Sequence, residues 1–131
     1  MTVGLTDADV AALTGRSFAT LVTMNADGTP HATLTWVDAA DGLVLVNTAA
    51  GRVKDRNLRR DPRAALLVLI DGDAYRWISV TGTVVERTND GADEHIDALA
   101  RRYDGKPWTP VAGQERVIFK IRPDRVLRYD E

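Results

Sequence analysis

The stretch Thr48-Ala49-Ala50-Gly51-Arg52-Val53-Lys54-Asp55-Arg56-Asn57 holds the residue types that bind an anion. An apolar run ends near Asn47, a glycine permits close backbone approach, and a helix begins. Backbone N–H groups at a helix N-terminus attract negative charge, and flanking arginine and lysine reinforce them. Arginine offers a bidentate fork and lysine a point charge, and both suit phosphate oxygens. At about 100° per residue, Lys54, Asn57 and Leu58 fall on one side of that helix, and Arg52, Arg56, Arg59 and Arg60 on the other. A single ligand therefore does not use every cation. A solvated basic helix face accounts for the same charges, and charge alone leaves the two readings level.

Other chemistries lack their residues. The 131-residue chain has no cysteine, which excludes thiolate nucleophiles, disulfides and iron–sulfur clusters. His31 and His95 are its only histidines, too few for a histidine metal cage, and no metal is expected. Neither serine, Ser17 or Ser79, sits in a nucleophile elbow. The N-terminal residues are acidic rather than basic, and the longest apolar run, Ala64 to Ile70, is too short to cross a bilayer. A cytoplasmic protein without a membrane span is the expectation. Between Arg52 and Arg63 six basic residues stand against two acids; with a whole-chain charge of −2 that segment carries +4 and the remainder −6. Cations confined to one segment of an acidic body point to a local anionic ligand, not to nucleic acid.

The surrounding pattern must position this segment. Thr6 with acids after it and Gly15 beyond predicts a first helix. Phe18 to Met24, a turn at Asn25-Ala26-Asp27-Gly28, and His31 to Val37 predict a hairpin, with Thr33 and Thr35 on one face and Ala32, Leu34 and Trp36 on the other. Asp38 to Gly42 reads as a turn and Leu43 to Val46 as a doubly buried strand. Val53 to Arg60 reads as a helix stopped by Asp61-Pro62, and Ala64 to Ile70 as the most apolar strand. Tyr75 to Arg87 is a long β run with a bend or bulge at Gly82. Asp93 to Tyr103 is an amphipathic helix, and Val117 to Ile121 and Arg125 to Tyr129 are strands parted by Pro123-Asp124. This predicts a mainly β fold of six or seven strands, with barrel closure to remove the edges, in a single domain over residues 1–131.

Arg52-x-Lys54-x-x-Asn57-Leu58-x-x-Asp61-Pro62, between an apolar strand and Ala64 to Leu69, resembles the split β-barrel flavin and deazaflavin oxidoreductases, relatives of pyridoxamine phosphate oxidase. The short, coenzyme F-420-dependent members are the most similar. The hairpin Thr20 to Pro30, Tyr75 to Gly82 and the strand at Glu115-Arg116-Val117 carry the likeness along nearly the whole chain. The resemblance implies that Arg52, Lys54 and Asn57 hold a cofactor phosphate with help from Thr48. It implies that the strand through Thr33, Thr35 and Trp36 lies along the tricyclic ring. Tyr75 and Trp77 would sit near that ring, contributed by the other protomer of a homodimer with cofactor at its interface. The surplus cations Arg56, Arg59 and Arg60 would meet the carboxylates of an F-420 polyglutamate tail. A reduced deazaflavin carries its own hydride, so the protein need only bind, orient and exclude water. The implied function is hydride transfer from reduced F-420 to an electron-poor unsaturated small molecule; no catalytic side chain is assigned.

Bland readings stand beside these. Asn57 can simply satisfy backbone groups, His31 is a strand-surface residue, and His95 lies solvated on the amphipathic helix. Trp36, Tyr75 and Trp77 can be packing residues, and Trp108 either lines the acceptor pocket or pins its loop. FMN, with its phosphate, suits Arg52 and Lys54 equally, so an FMN-binding oxidase or flavin reductase is the alternative. A non-catalytic F-420 carrier and a nucleic-acid-binding barrel are further alternatives.

Overall fold

The computed structural model describes residues 4–130. Helix α1 (Asp7–Leu13) opens with a reciprocal capping box, in which the Thr6 hydroxyl accepts from the Asp9 N–H and the Asp9 carboxylate from the Thr6 N–H. The remaining elements are β1 (Phe18–Met24), β2 (Pro30–Thr35), β3 (Asp38–Ala40), β4 (Leu43–Ala49), α2 (Val53–Arg60) and β5 (Arg63–Leu69). A short 3-10 turn, Ile70–Gly72, leads to β6 (Arg76–Thr88), α3 (Ala92–Asp104) and β7 (Arg116–Asp130). All seven strands form one antiparallel sheet in the order β2-β1-β5-β6-β7-β4-β3.

The sheet curls around a core of Leu21, Val44, Val46, Leu66, Val80, Val117, Phe119 and Ile121, sealed by Leu13 of α1 and Leu58 of α2. The expected full closure is not reached by hydrogen bonding, for β2 and β3 remain as the two ends of the sheet. The barrel is split there. Two further elements differ from the sequence reading. Asp38 to Gly42 is not all turn: β3 forms before a tight reversal at Asp41 and Gly42, both at positive φ. The two C-terminal strands are one continuous strand, because Pro123 lies opposite Gly82 at a β-bulge where no ladder hydrogen bond from Pro123 is needed.

Helix α2 follows the sequence expectation and is anchored from beneath. Its Asp55 is fully buried, accepting from the Gly51 N–H at 2.7 Å and from Arg87 Nε at 2.8 Å. Asn57, also buried, donates to Thr23 Oγ1 and Asn25 Oδ1, both at 3.0 Å, and accepts from Arg60. Arg60 in turn donates to the Met24 carbonyl. These bonds fasten the helix to the β1 hairpin and fix the turn before it. Helix α3 lies outside the barrel on Leu45 and Ile118, and its Tyr103 hydroxyl reaches the backbone of Ser17 and Val37.

Gly82→Ala should destabilise the fold by about 1–3 kcal/mol in urea unfolding, because its Cβ would collide with the Arg122 carbonyl oxygen and the Ile121 side chain. A second expectation concerns acid. Burial alone would raise the Asp55 carboxyl, but hydrogen bonds from Arg87 and Gly51 outweigh it and hold the carboxyl below its ordinary value. Its contribution is therefore complete above the unfolded aspartate value, about 3.9, and is lost as pH falls through the lower folded one. Asp55→Asn should remove that part of the acid sensitivity and lower stability at neutral pH by about 1–3 kcal/mol. Urea melts at pH 3 to 7 read both effects.

Candidate functional site

The split between the sheet ends opens into two clefts that share Leu34, Arg52 and Lys54. The first, about 270 Å³, is walled by Leu34, Thr35 and Trp36 from the β2 end, Asn47 and Thr48 from β4, Ile96 from α3, Trp108 from the following loop, and Arg116 from β7. The second, about 560 Å³, runs along His31 and Thr33 of β2 and past Gly51, Val53 and Arg56. The N-terminus of α2 stands between them. Arg52 is its N-cap residue and makes no side-chain cap, so the first turn has no side-chain acceptor from that position.

Three cations meet at the first cleft: Arg52, Lys54 and Arg116. Among the described residues none of them forms an ion pair, and Arg52 and Lys54 make no side-chain hydrogen bond. Burial pushes the Lys54 ammonium below its ordinary value, and the charges of Arg52 and Arg116 push it further. Burial and Arg52 act on Arg116 in the same direction, with Asp93 opposing them. Lys54 and Arg116 thus each stand where neighbouring positive charge disfavours their own. An anion between them would relieve that repulsion. Arg116 is 8% exposed and was not among the residues singled out from the sequence as a site. Its signal was an arginine opening the apolar run Val117 to Ile121, yet β7 position alone did not reveal which end of the barrel it would reach.

The other expected residues divide. Thr48 is buried in the first cleft; Thr35 lines it with its hydroxyl on the Trp36 carbonyl. Thr33 lines the second cleft, and its hydroxyl is buried without a partner, ready to bond a ligand group. The pairing of Thr33 with Leu21 and Thr35 with Ala19 puts both threonines on the inner face, at the open edge. Trp36 stacks on Tyr103 at 5.1 Å and meets Trp108 edge-on at 6.3 Å, forming an aromatic corner. Trp108 both lines the cleft and holds its loop, since its backbone N–H donates to Asp97 of α3 at 2.9 Å. Asn57 lines neither cleft, because its amide is spent on the β1 hairpin. Trp77 lies against Tyr129 in a separate cavity beside α1, and Tyr75 is 64% exposed, so one chain does not bring either to the cation cluster. His95 is not solvated as expected; it is held between Asp38 and Asn47.

Comparisons with known proteins agree with this architecture. A family profile described as pyridoxamine 5′-phosphate oxidase matches residues 5–129. An F-420H(2)-dependent biliverdin reductase from Mycobacterium tuberculosis (strain CDC 1551 / Oshkosh) is 32% identical over 128 residues, covering 96% of this chain and 89% of that protein. The solved structure of an F-420 reductase superposes with a TM-score of 0.81 at 26% identity, covering 94% of this chain and 98% of that one. A conserved hypothetical protein of Mycobacterium tuberculosis gives 0.70 at 32% identity over 96% of this chain and 85% of its own. By a profile match along almost its full length and by these relatives, the chain belongs to the pyridoxamine 5′-phosphate oxidase family, with its split β-barrel fold.

Proposed function

We propose that this protein is an F-420-dependent reductase that binds its cofactor phosphate between Arg52, Lys54 and Arg116. The observation that carries the reading is the cluster of cations without an ion-pair partner in a cleft that also holds the apolar and aromatic side chains Leu34, Trp36, Ile96 and Trp108. A phosphodiester suits the charged end, and a planar ring suits the wall of Leu34 and Trp36. The Thr33 hydroxyl and the α2 N–H groups offer donors beside the phosphate. Arg56 lines the second cleft, where a charged tail leaving the phosphate would run, whereas Arg60 is committed to the β1 hairpin. Reduced F-420 supplies a hydride when bound. The chain's part is to orient the ring, hold the acceptor against it and keep water out with Trp36, Ile96 and Trp108. The acceptor is an electron-poor unsaturated small molecule, and biliverdin is the first to test because a relative is named for reducing it.

The reading includes a homodimer. On the outer face of the sheet, register aligns Leu34, Thr20, Leu67, Ser79 and Leu127 in one row and Phe18, Leu69, Trp77 and Tyr129 in the next. Leu34, Phe18, Leu67, Leu127 and Tyr129 are 74%, 47%, 43%, 50% and 40% exposed, an apolar face of the kind that a second copy covers. Seating a second copy there brings its Trp77 and the neighbouring Tyr75 to the interface, in keeping with a role for them beside the cofactor of the opposite protomer.

Titration with F-420 and with FMN, followed by cofactor fluorescence, tests the cofactor. Tight F-420 binding and weak FMN binding are expected, and the reverse order would move the chain to the flavin branch. Lys54→Ala should weaken F-420 binding by about 1.5–3 kcal/mol; unchanged affinity would remove Lys54 from the phosphate. In sedimentation equilibrium the wild type should run as a dimer and Leu67→Lys as a monomer. A monomeric wild type that binds F-420 fully would refute the shared site.

A further inference from the structure

Arg116 lines the cleft, yet its guanidinium is held from behind by an unusual partner. Its Nε donates to Asn47 Oδ1 at 2.9 Å and its Nη1 to Gln114 Oε1 at 3.1 Å, while its plane lies over the Trp108 ring at 5.1 Å. Arginine has five N–H donors, so three remain for a ligand. The Asn47 amide can be oriented from its neighbours. The Ala92 carbonyl, 2.9 Å away, can only accept, and Arg116 Nε can only donate. The amide nitrogen therefore faces Ala92 and the amide oxygen faces Arg116. The same nitrogen is 3.2 Å from His95 Nδ1, which must be the acceptor. His95 then carries its proton on Nε2 and donates it to Asp38 Oδ2 at 2.9 Å.

We infer that His95, Asn47 and Arg116 form one positioning chain, in which a neutral, Nε2-protonated His95 locks the Asn47 amide and that amide aims Arg116 at the anion in the cleft. Protonation of His95 would place Nδ1–H against the amide N–H₂. Turning the amide over to accept that proton would set its oxygen against the Ala92 carbonyl and its nitrogen against Arg116 Nε. Both bonds would be lost together, and Arg116 would be freed to leave the cleft. Acidification should thus weaken anion binding at a residue whose own charge never titrates.

Asp38 of β3 faces His95 Nε2, and Arg102, from the next turns of α3, shares that carboxylate at 2.9 Å. Burial would raise the Asp38 carboxyl, but the bonds from His95 and Arg102 hold it below its ordinary value, so it stays an acceptor. Asp93 and Glu94 precede His95 on α3 and are exposed. Arg116 of β7 reaches the imidazole only through Asn47. Asp38, Asn47 and Arg102 are thus the groups that meet or flank the imidazole, and the geometry of the amide decides what a proton on Nδ1 does.

This inference rests on the reading of the cleft as an anion site, but sulfate tests it apart from any cofactor because its charge is constant across the histidine range. Nitrogen-15 NMR of the free wild-type protein should show the Nε2–H tautomer at His95 and a protected Arg116 Nε–H. Sulfate at constant ionic strength should shift that Arg116 signal, with an affinity that falls about tenfold on acidification, the loss of one charged hydrogen bond. His95→Gln should flatten the pH dependence. Asn47→Asp, with acceptors toward both neighbours, should move the ring proton to Nδ1. An Nδ1–H tautomer in the wild type, an Arg116 signal indifferent to sulfate, or equal pH profiles for wild type and His95→Gln would overturn the inference. Sulfate behaviour as expected, with neither F-420 nor FMN bound, would keep the positioning chain and overturn the proposed function instead.

Discussion

A curled antiparallel sheet whose two end strands do not pair must leave its edges facing each other across a gap. In this protein the gap is where side chains of opposite character come together. Closure by a β2–β3 ladder would have filled it with backbone. Instead Trp36 and Val37 cross from one edge to the other, with Val37 buried in the core and Trp36 half-exposed at the mouth. Long strands β6 and β7, bent at the Gly82 bulge, supply the curl that brings the edges near. The gap leaves Thr33 and Thr35 on an inner face with a strand on one side only, which is why a threonine hydroxyl can be buried there and still lack a partner.

Two helices exploit that gap in different ways. Helix α2 brings charge on its first turn and is tied down by side chains that carry none of the ligand-facing work. Asp55 is buried among hydrogen bonds and neutralises Arg87, leaving Lys54 beside it with no counter-ion. Helix α3 brings apolar surface, Ile96 and Tyr103, and closes the outer side of the cleft. The balance of charge follows from this division. Asp55 of α2, Asp97 of α3 and Asp38 of β3 pair with Arg87, Arg101 and Arg102, so the cations at the cleft stay unneutralised although the whole chain is acidic. Net charge says little about such a site; the local pairing decides it.

What the sequence made legible was local. Helix α2, with its start after Gly51 and its stop at Asp61-Pro62, and the bulge at Gly82 were readable because each depends on a residue's own backbone preference. Strand β3 was hidden because Asp38 and Asp41-Gly42 resemble a turn, and only pairing with β4 makes the first three residues extended. Pro123 read as a break because its tolerance depends on a bulge in another strand. Arg52, Lys54 and Thr48 were found since they lie within one segment. Arg116, Ile96 and Trp108 come from segments far along the chain, and no spacing rule joins them to Arg52.

The two buried asparagines show why a motif residue and a site residue need not coincide. Asn57 sits inside the motif, but its amide is consumed fastening α2, and with it Lys54 and Arg52, to Thr23 and Asn25. Asn47 lies outside the motif in an apolar strand, yet it touches a cation that lines the cleft. A carboxylate in that place would hold Arg116 at least as firmly, but it would neutralise the guanidinium before any ligand arrived and repel the Ala92 carbonyl. An aliphatic side chain would leave Arg116 Nε buried and unpaired. An amide can accept from a cation on one side, donate to both a carbonyl and an imidazole nitrogen on the other, and add no charge. Arg116 therefore reaches the cleft with its charge unneutralised because the residue behind it is neutral, and Asn47 matters for what it withholds from the arginine as much as for the bond it gives.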